Sequence, residues 1–333
     1  MMSTPIVSDI ESDIYYQKEY SNLYLTSGDG EIFEYTYAEG DLFVKFRAIK
    51  RLIENVAGVP VEEELYDLET PYGYGGPVSN SSDEAFLQKA FASYKQHCKN
   101  QNIVCEFIRF HPFNAMANRS ELFDMHFAER QVVIVDLQNS DEERRKLYSK
   151  TTRNIVKRTI KRLSVDIDVN TADDFMSVYY QTMEKNAADD FFFFKKNYFT
   201  DLMKLDGVSL IGTRLEDELA AIGYFMCGKE IAHYHLSANN PNLSKENGNY
   251  LLLDSAFDLA KSKGCKYMML GGGRTSSPDD NLFKFKSKFS STHMPFYISG
   301  LDFMPEKRAH LNSLWVSQNK DKPSPKLFQL YRA

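Results

Sequence analysis

One segment, Gly264–Ser290, carries the residue types best suited to chemistry in this chain. A buried-strand pattern runs directly into three consecutive glycines, Gly271, Gly272 and Gly273. Such a run lets the backbone adopt positive φ and lets another group approach closely. Lys286 follows within a Phe-Lys-x-x-Phe sequence and brings a cation to this backbone. Free N–H groups beside a lysine can stabilise an oxyanion or a phosphate, whereas the alternative is a tight turn with a solvated lysine.

The loop DLETPYGYGGP, residues 67–77, is a second candidate site. Its three glycines and two prolines predict irregular backbone and no regular element. Tyr72 and Tyr74 share a face if the stretch is extended, and Gly75 and Gly76 leave room beside them. This pattern predicts a ligand groove with hydroxyls and ring surfaces, or else a loop closed by packed tyrosines.

Arg109 lies among apolar residues in the sequence CEFIRFHPF, which predicts a strand. A charge in that setting needs a partner because its desolvation is costly. Arg109 is therefore expected either to pair with a carboxylate such as Glu106 or Glu129, or to bind an anionic ligand.

His233 and His235 alternate on a predicted strand and share one of its faces. Two histidines could begin a metal site, but no third ligand has suitable spacing, so no metal is predicted. One of them, His235, could act as a general base, and the alternative is two histidines held by hydrogen bonds in the sheet. Asp280, in the loop after the glycines, is another candidate base.

The basic sequence KTTRNIVKRTIKR, residues 150–162, predicts an amphipathic helix with an apolar stripe at Val156 and Ile160. In a chain of net charge −6, this concentration of cations could hold phosphates, a nucleic-acid backbone or anionic lipid head groups. The alternative is an ordinary solvated face.

Length and composition exclude several classes. The 333 residues, 43% of them hydrophobic, predict two domains with well-filled cores. The net charge of −6 argues against a general nucleic-acid coat, and no DNA partner is expected. No apolar run of membrane-spanning length and no signal pattern occurs, which predicts a cytoplasmic protein with at most peripheral membrane contact. The four cysteines match no zinc or redox spacing. Hydrolase-elbow, phosphate-loop and dinucleotide-binding motifs are absent.

Periodicity predicts two α/β units that follow the same order of strands, helix and strand. The predicted elements of the first unit are strands at 33–37, 42–48, 104–110 and 130–137 and a helix at 83–100. Those of the second are strands at 165–169, 208–215, 218–227, 230–238 and 267–270 and helices at 171–185, 198–204 and 251–263. The segments that could do chemistry follow these elements at the ends of strands.

The motifs taken together resemble the FemAB/FemX group and related acyltransferases of the GNAT superfamily. The resemblance runs over residues 10–295 and rests on DLETPYGYGGP, FIRFHP, YSKTTRNIVKR, YHLSANN, NYLLLDSAFDLAKSKG, LGGG and LFKFKSKFS, in that order. It implies an α/β fold of two tandem GNAT-like domains, each with a mixed, mostly antiparallel twisted sheet flanked by helices. The implied division is 1–145, completed by the C-terminal tail 305–333, and 146–304.

The resemblance also implies roles for single residues. Lys286 would stabilise the tetrahedral oxyanion, Gly271–Gly273 would line the channel floor, and Tyr72 and Tyr74 would line the acceptor groove. A Thr-x-Arg pair binds the acceptor's diphosphate in FemX-like enzymes, and here the corresponding sequence is TMEK, with Thr182 and Lys185. The remaining residues expected to bind substrate are Gly75, Gly76, Arg109, Tyr234, Gly248 and Asn249.

Acetyltransferases of this superfamily bind the coenzyme A pyrophosphate at a helix N-terminus, under a Gln/Arg-x-x-Gly-x-Gly/Ala sequence. Here residues 245–250 are KENGNY, so Gly248 matches the first glycine and Tyr250 replaces the second. A tyrosine there is expected to crowd a pyrophosphate.

The function implied is transfer of an aminoacyl or acyl group to an amine of a cell-envelope precursor, either a peptidoglycan peptide or an amino sugar. The co-substrate would be aminoacyl-tRNA or an acyl-CoA or acyl-carrier thioester, with no tightly bound cofactor. Two other classes remain open. One is a catalytically silent module that binds a nucleotide sugar. The other is an RNA-binding protein that uses the basic helix 150–162 and the alternating Phe and Lys residues at 283–289.

Overall fold

The computed structural model describes residues 7, 9–28, 30–167, 169–185, 193–323 and 325–333. The chain divides into two compact units. The first unit contains residues 28–129 and 296–333, and the second contains residues 130–295 together with the described residues up to Ser27. The boundaries at 129/130 and 295/296 fall inside strands, and the boundary at 27/28 follows a helix.

The described residues form fourteen strands and nine α-helices. The strands are β1 Glu31–Glu39, β2 Leu42–Leu52, β3 Asn55–Val56, β4 Val59–Pro60, β5 Tyr66–Glu69, β6 Val78–Ser79, β7 Ile103–Arg109, β8 Met125–Asp136, β9 Ser164–Asp166, β10 Val208–Leu215, β11 Glu218–Cys227, β12 Ile231–Asn239, β13 Tyr267–Gly271 and β14 Thr292–Asp302. The helices are α1 Lys18–Ser27, α2 Glu84–Asn100, α3 Asp141–Leu147, α4 Lys150–Thr159, α5 Ala172–Lys185, α6 Lys196–Leu202, α7 Gly248–Ser262, α8 Asn281–Lys286 and α9 Pro305–Gln318.

The sheet of the first unit has the order β1-β2-β5-β7-β14. All neighbours are antiparallel except β5 and β7, which are parallel and are connected through α2. Asp83 caps α2 by accepting from the N–H of Phe86, and the buried face of the helix packs on the sheet. A helical crossover of this kind is what a parallel pair requires.

The sheet of the second unit has the order β8-β13-β12-β11-β10-β9. Here too all neighbours are antiparallel except one pair, β12 and β13, which α7 connects. The core consists of the buried face of α7 against the sheet, with Phe257 and Leu252 fully buried. Both units thus repeat one topology, and the predicted fold class of two mixed, mostly antiparallel α/β units is confirmed.

The N-terminal residues belong to the second unit, whereas the predicted division places them with the first. Their contacts explain this position. Asp13 lies 2.6 Å from Nε2 of His233, and the hydroxyl of Tyr15 lies 2.9 Å from Nδ1 of His235. Helix α1 then packs against α6. Long-range contacts of this kind leave no periodic pattern in the sequence.

The C-terminal tail, residues 305–333, packs within the first unit. The indole N–H of Trp315 donates to the carbonyl of Ala333 at 2.8 Å, and the hydroxyl of Tyr331 donates to buried Asp67 at 2.9 Å. Arg332 pairs with the same carboxylate at 2.8 Å. These bonds fix the end of the chain beside β5. Among the helices described, none has the length and apolar character needed to cross a membrane.

Candidate functional site

The centre of the candidate site is a gap between two parallel strands of the second unit. Parallel pairing of β12 with β13 ends at His233 and Met269, although β12 continues to Asn239 and β13 to Gly271. Each strand stays paired on its outer side, β12 with β11 and β13 with β8. We call the interval between residues 234–239 and residues 270–273 the strand gap. An interruption of this kind between two parallel strands can admit the polar groups of a ligand.

The corresponding position in the first unit is filled by the chain itself. After β5, Gly75 bridges to Phe110 in parallel fashion, and its N–H donates to the carbonyl of Arg109 at 2.8 Å. The N–H of His111 donates in turn to the carbonyl of Gly75 at 2.9 Å. The parallel pair of the first unit is therefore extended by its own loop. The strand gap of the second unit is the better candidate for binding the acyl donor.

The three glycines at the end of β13 meet different requirements. Gly271 follows a bulge against β8 and has φ +74°, which strains any residue with a side chain. A Cβ on Gly272 would lie 2.7 Å from the Cδ of Arg130. A Cβ on Gly273 would lie 2.4 Å from a carboxylate oxygen of Asp280. Gly272 and Gly273 therefore allow the side chains of Arg130 and Asp280 to pack directly against the backbone at the end of the strand.

Lys286 ends α8 and is buried, with 7% of its surface exposed. Its Nζ donates to the carbonyl of Gly272 at 2.7 Å and lies 5.7 Å from the ring centre of Tyr234. Burial, reinforced by the positive charge of Arg130, lowers the pKa of Lys286 to about 7. A buried ammonium of this kind is held at the strand gap, where it can donate to an oxygen that becomes negative.

Arg130 is the residue of this site that the sequence analysis missed. Its guanidinium donates to the carbonyl of Gly273 at 2.6 Å, directly beyond the glycine that accepts from Lys286. In the sequence Arg130 is only the first residue of a predicted strand, and nothing local distinguishes it from other arginines. Two cations thus converge on consecutive glycine carbonyls.

Asp280 connects the glycine loop to α8. One carboxylate oxygen accepts from the N–H groups of Leu282 and Phe283 at 2.9 and 3.0 Å, and the other accepts from the N–H of Thr275 at 3.1 Å. Burial would raise the pKa of Asp280, but these N–H groups and that of Arg274 outweigh it and lower the pKa. A capping carboxylate with a lowered pKa is a weak proton acceptor, which counts against the predicted role of Asp280 as a base.

Replacing Asp280 with alanine is expected to lower the free energy of unfolding by about 1–2 kcal/mol, because α8 loses its cap. We expect kcat to fall by roughly 10- to 100-fold as well, since Lys286 then loses its fixed position. The matched control is Asp279→Ala, which removes an exposed carboxylate paired only with Lys284. Urea unfolding and steady-state rates of the two variants provide the check. If both substitutions changed stability and kcat equally, Asp280 would have no role in positioning Lys286.

His235 occupies a bulge in β12, at the register shift opposite Tyr224 and Phe225. The Tyr15 hydroxyl lies 2.9 Å from its Nδ1 and the Tyr198 hydroxyl 2.8 Å from its Nε2. Burial, together with His233, lowers the pKa of His235 to about 3. A ring with both nitrogens engaged and so low a pKa is a poor base, and the geometry favours a role in anchoring the N-terminal segment.

Tyr234, Thr182 and Lys185 were predicted to bind substrate. Tyr234 lies at the strand gap, stacks on Phe225 and hydrogen-bonds Ser237. The Thr182 hydroxyl donates to the carbonyls of Val178 at 2.8 Å and Asn239 at 3.2 Å, so it fastens α5 to the end of β12. The side chain of Lys185 lies outside the described part of the structure.

Helix α7 begins at Gly248 and Asn249, immediately after Asn247 in the left-handed conformation. A Cβ on Gly248 would lie 2.7 Å from Oγ1 of Thr213, so this glycine permits close packing of the helix on β10. Tyr250 packs inward against Phe285, with ring centres 5.1 Å apart, and is buried. The expectation that Tyr250 crowds this helix N-terminus is therefore wrong, because its side chain fills the core.

The predicted aromatic loop lies in the first unit. Tyr74 packs edge-to-face against His111 and Phe296, with ring centres 5.7 and 5.4 Å apart, and Tyr72 is half-buried. Gly76 has φ +95°, and a Cβ on it would meet the ring of Phe110 at 2.6 Å. A Cβ on Gly75 would lie 2.4 Å from Thr70. This packing favours the alternative of a closed loop with an aromatic surface.

Arg109 pairs with Glu69 at 2.7 Å and also donates to the carbonyl of Thr70 at 3.0 Å. The predicted partner Glu106 is wrong, since residues three apart on a strand point to opposite faces. Glu106 instead accepts from the hydroxyl of Tyr94 at 2.9 Å, and burial raises its pKa to about 8. Arg109 thus has a carboxylate within its own unit.

The structure accordingly brings Lys286, Asp280, Tyr234 and the glycines 271–273 together at the strand gap of the second unit. Arg109, Tyr72, Tyr74, Gly75 and Gly76 lie in the first unit.

Comparison with known proteins finds a family match within the second unit. Residues 142–286 match the model of the acetyltransferase (GNAT) domain family, and that match ends at Lys286. No curated protein matches the chain in sequence.

Solved structures match nearly the whole chain. FemX superposes with a TM-score of 0.70 at 13% identity and covers 92% of this chain and 95% of its own. The L-PGS of Bacillus licheniformis has a TM-score of 0.52 at 14% identity, covering 90% and 96%. The C-terminal domain of a putative lysylphosphatidylglycerol synthetase from Agrobacterium fabrum has a TM-score of 0.52 at 15% identity, covering 90% and 92%. At these identities the structures establish the fold. The chain has the FemX fold, and its residues 142–286 match the acetyltransferase (GNAT) domain family, which supports a transferase.

Proposed function

We propose that this protein transfers an acyl or aminoacyl group from an activated donor to an amine of a cell-envelope precursor, with Lys286 as the oxyanion-stabilising residue. The observation that carries the proposal is the buried ammonium of Lys286, bonded to Gly272 at the strand gap. Among the described residues, no carboxylate forms an ion pair with Lys286. Burying a lysine in this way is unfavourable for folding, and such groups are concentrated at functional sites.

The reaction needs alignment and charge stabilisation and no covalent enzyme intermediate. The acceptor amine attacks the acyl carbon, and a C–N bond forms as the carbonyl π electrons move onto oxygen. Lys286 donates an N–H to that oxygen. The C–S or C–O bond to the donor then breaks, and the proton lost from nitrogen leaves with the departing group or with solvent. Alignment of two bound reactants accounts for much of the rate of such steps.

For the donor we propose an acyl thioester in the first place. The GNAT domain match supports this choice, and so does the N-terminus of α7, from which the Tyr250 side chain turns away. This N-terminus packs against Thr213 and Ala220 at Gly248, and a helix N-terminus suits a phosphate group of the donor. Aminoacyl-tRNA is the alternative, supported by the shared fold with FemX and with the lysylphosphatidylglycerol synthetase domain.

For the acceptor we propose an amine of a peptidoglycan peptide or an amino sugar. Support comes from the FemX fold over 92% of this chain. The hydroxyl of Thr182, engaged with two backbone carbonyls, does not supply the diphosphate contact that the resemblance implied.

The donor class can be tested by mass-resolved hydrolysis and binding. The purified protein is incubated with a panel of acyl-CoA thioesters and, separately, with charged tRNA, and Lys286→Met serves as the control. Consumption of a thioester by the wild type alone supports the proposal. If only charged tRNA is consumed, the donor is aminoacyl-tRNA and not a thioester, and the proposed acyl transfer is retained. If the protein consumes neither donor, the proposal fails and a silent binding module takes its place.

The pKa of Lys286 makes the rate depend on pH. Because that pKa is lowered to about 7, the ammonium needed for catalysis is lost as the pH rises through 7. We therefore expect kcat/KM to decrease above about pH 7, where the free enzyme loses this proton. Lys286→Arg keeps its charge to high pH, so its slower reaction should lack this decrease. Identical pH profiles for both enzymes would contradict the assigned role.

A further inference from the structure

Helix α4 carries a stripe of cations on its exposed side. Lys150, Arg153, Lys157 and Lys161, the last just beyond the helix, follow the spacing i, i+3, i+7 and i+11, which places them along one face, and Arg158 lies beside them. All five are exposed. We call these five residues the basic face. With a rise of 1.5 Å per residue the stripe is about 16 Å long.

The orientation of the basic face is fixed by packing. Thr152, Val156 and Thr159 are buried on the other side of the helix, where α4 packs against α7. Ser149 caps the helix by accepting from the N–H of Thr152 at 3.2 Å. The cations therefore lie on the exposed side of the helix as a consequence of the core. Arg153 also donates to the carbonyls of Lys146 and Tyr148 at 2.9 and 2.5 Å.

The charges of the basic face are not balanced locally. No acidic residue occurs from position 144 to position 165. Among the described residues, Lys150, Lys157, Arg158 and Lys161 have no ion-pair partner, whereas neighbouring Arg162 pairs with Glu246 at 3.0 Å. A protein of net charge −6 thus maintains one concentrated positive surface. Such a surface attracts a polyanion.

Exposed apolar side chains flank the basic face in the sequence. Leu147 before α4 is 57% exposed, Ile160 at its end 51%, and Ile167 beyond it 43%. Lysines and arginines mixed with exposed aliphatic residues are typical of surfaces that lie on a bilayer. Strands of nucleic acid are instead bound through aromatic side chains that stack on bases, and residues 149–167 contain no aromatic residue.

We propose that the basic face, together with Leu147 and Ile160, docks this protein on the surface of a bilayer that contains anionic lipid. The cations contact the head groups, and the two aliphatic side chains enter the interface between head groups and acyl chains. This docking is independent of the acyl transfer proposed above, because it requires neither donor nor acceptor.

The test is sedimentation with phosphatidylcholine vesicles that contain phosphatidylglycerol, compared with vesicles of phosphatidylcholine alone. Each cation near an anionic surface contributes about fivefold, so Lys150→Gln/Lys157→Gln/Lys161→Gln should bind roughly 100-fold more weakly. The matched control is Lys99→Gln/Lys320→Gln/Lys322→Gln, which makes the same charge change at exposed positions elsewhere. Leu147→Ser/Ile160→Ser keeps all charges and should lose about tenfold.

Binding only to the anionic vesicles, lost in the basic-face variant and kept in the control, establishes the surface. If both triple variants lost vesicle affinity equally, binding would depend on the net charge of the protein and not on the basic face, and the proposal would be overturned. So would absence of vesicle binding in the wild type. Gel-shift titration with single-stranded RNA supplies the remaining comparison. If the basic face were needed for RNA binding and not for vesicle binding, the partner would be RNA and the proposal would be wrong.

Discussion

Replacement of Lys286 with methionine is expected to lower kcat by about 10²–10³ while making the folded protein more stable. The rate falls because the tetrahedral oxyanion loses a donor, and one such donor typically accounts for a factor of this size. The stability rises because methionine fills a similar volume without a charge to desolvate, and Lys286 has only a carbonyl partner at 2.7 Å. Opposite effects on rate and stability are characteristic of a residue retained for chemistry.

The stability change also has a defined pH dependence. The folded-state pKa of Lys286 is lowered to about 7, whereas the unfolded chain has an ordinary lysine pKa near 10.5. Between these values the unfolded state binds more protons, so the stability of the wild type rises as the pH increases through that range. The Lys286→Met variant should lack this increase.

Thermal unfolding as a function of pH, together with kcat, checks both parts of this prediction. The matched control is Lys284→Met on the same helix, because Lys284 is exposed and paired with Asp279 at 2.8 Å. It should change Tm by less than a few degrees and leave kcat near the wild-type value. A variant at position 286 that retains kcat would remove Lys286 from the mechanism, whatever its stability.

Replacement of Arg144 with alanine is expected to destabilise the second unit by about 3 kcal/mol or more. The Arg144 side chain is 1% exposed and bonds Asp258 at 2.5 Å and the hydroxyl of Tyr148 at 3.2 Å. Asp254, which is equally buried, lies 3.6 Å from the same guanidinium. Truncation removes both the charge that compensates these carboxylates and the packing of the long side chain.

Urea unfolding of the Arg144→Ala variant provides the measurement, with Lys146→Ala as its control. Lys146 is exposed on the same helix and has only an i,i+4 pair with Glu142, so its loss should cost less than about 0.5 kcal/mol. If both variants unfolded at the same urea concentration, the buried network around Arg144 would contribute nothing measurable to stability.

This network shows why part of the sequence reasoning could not separate structure from function. Arg144 and Arg145 belong to the same basic run as the cations of α4, and all of them look alike in the sequence. Arg145 forms an ion pair with buried Asp254 at 2.9 Å, whereas Lys157 is exposed to solvent. The difference depends on α7, more than a hundred positions away, and only the folded chain reveals it.

Elements with strong periodicity were predictable to within a few residues. Strands β10 and β11 have the predicted bounds, Val208–Leu215 and Glu218–Cys227, because both are apolar runs bounded by turn residues. Strand β14 and helix α9 were not predicted, since β14 is half-buried along much of its length and offers no clean alternation. Pairing partners also could not be read from one sequence, because register depends on contacts across the sheet.

Within the candidate site, composition predicted glycines beside a cation, whereas the contacts of these residues are visible only in the structure. Three glycines and a lysine were enough to indicate an open strand end next to a cation. A Cβ on Gly273 would lie 2.4 Å from the carboxylate of Asp280, which follows after six residues of loop, and the spacing alone does not specify this close packing. His235 was predicted as a base from its residue type, but a bulge and two tyrosine hydroxyls define its surroundings.

The most direct test of the central claim is detection of the amide product. A donor labelled in its acyl group is mixed with an amine-bearing acceptor, such as a peptidoglycan peptide or an amino sugar, and the acceptor is analysed by mass spectrometry in single-turnover time courses. We expect the wild type to add the labelled acyl mass to the amine, and Lys286→Met, though folded, to do so about 10²–10³ times more slowly. Product formation at equal rates by both proteins, or no amide product with any activated donor, would contradict it.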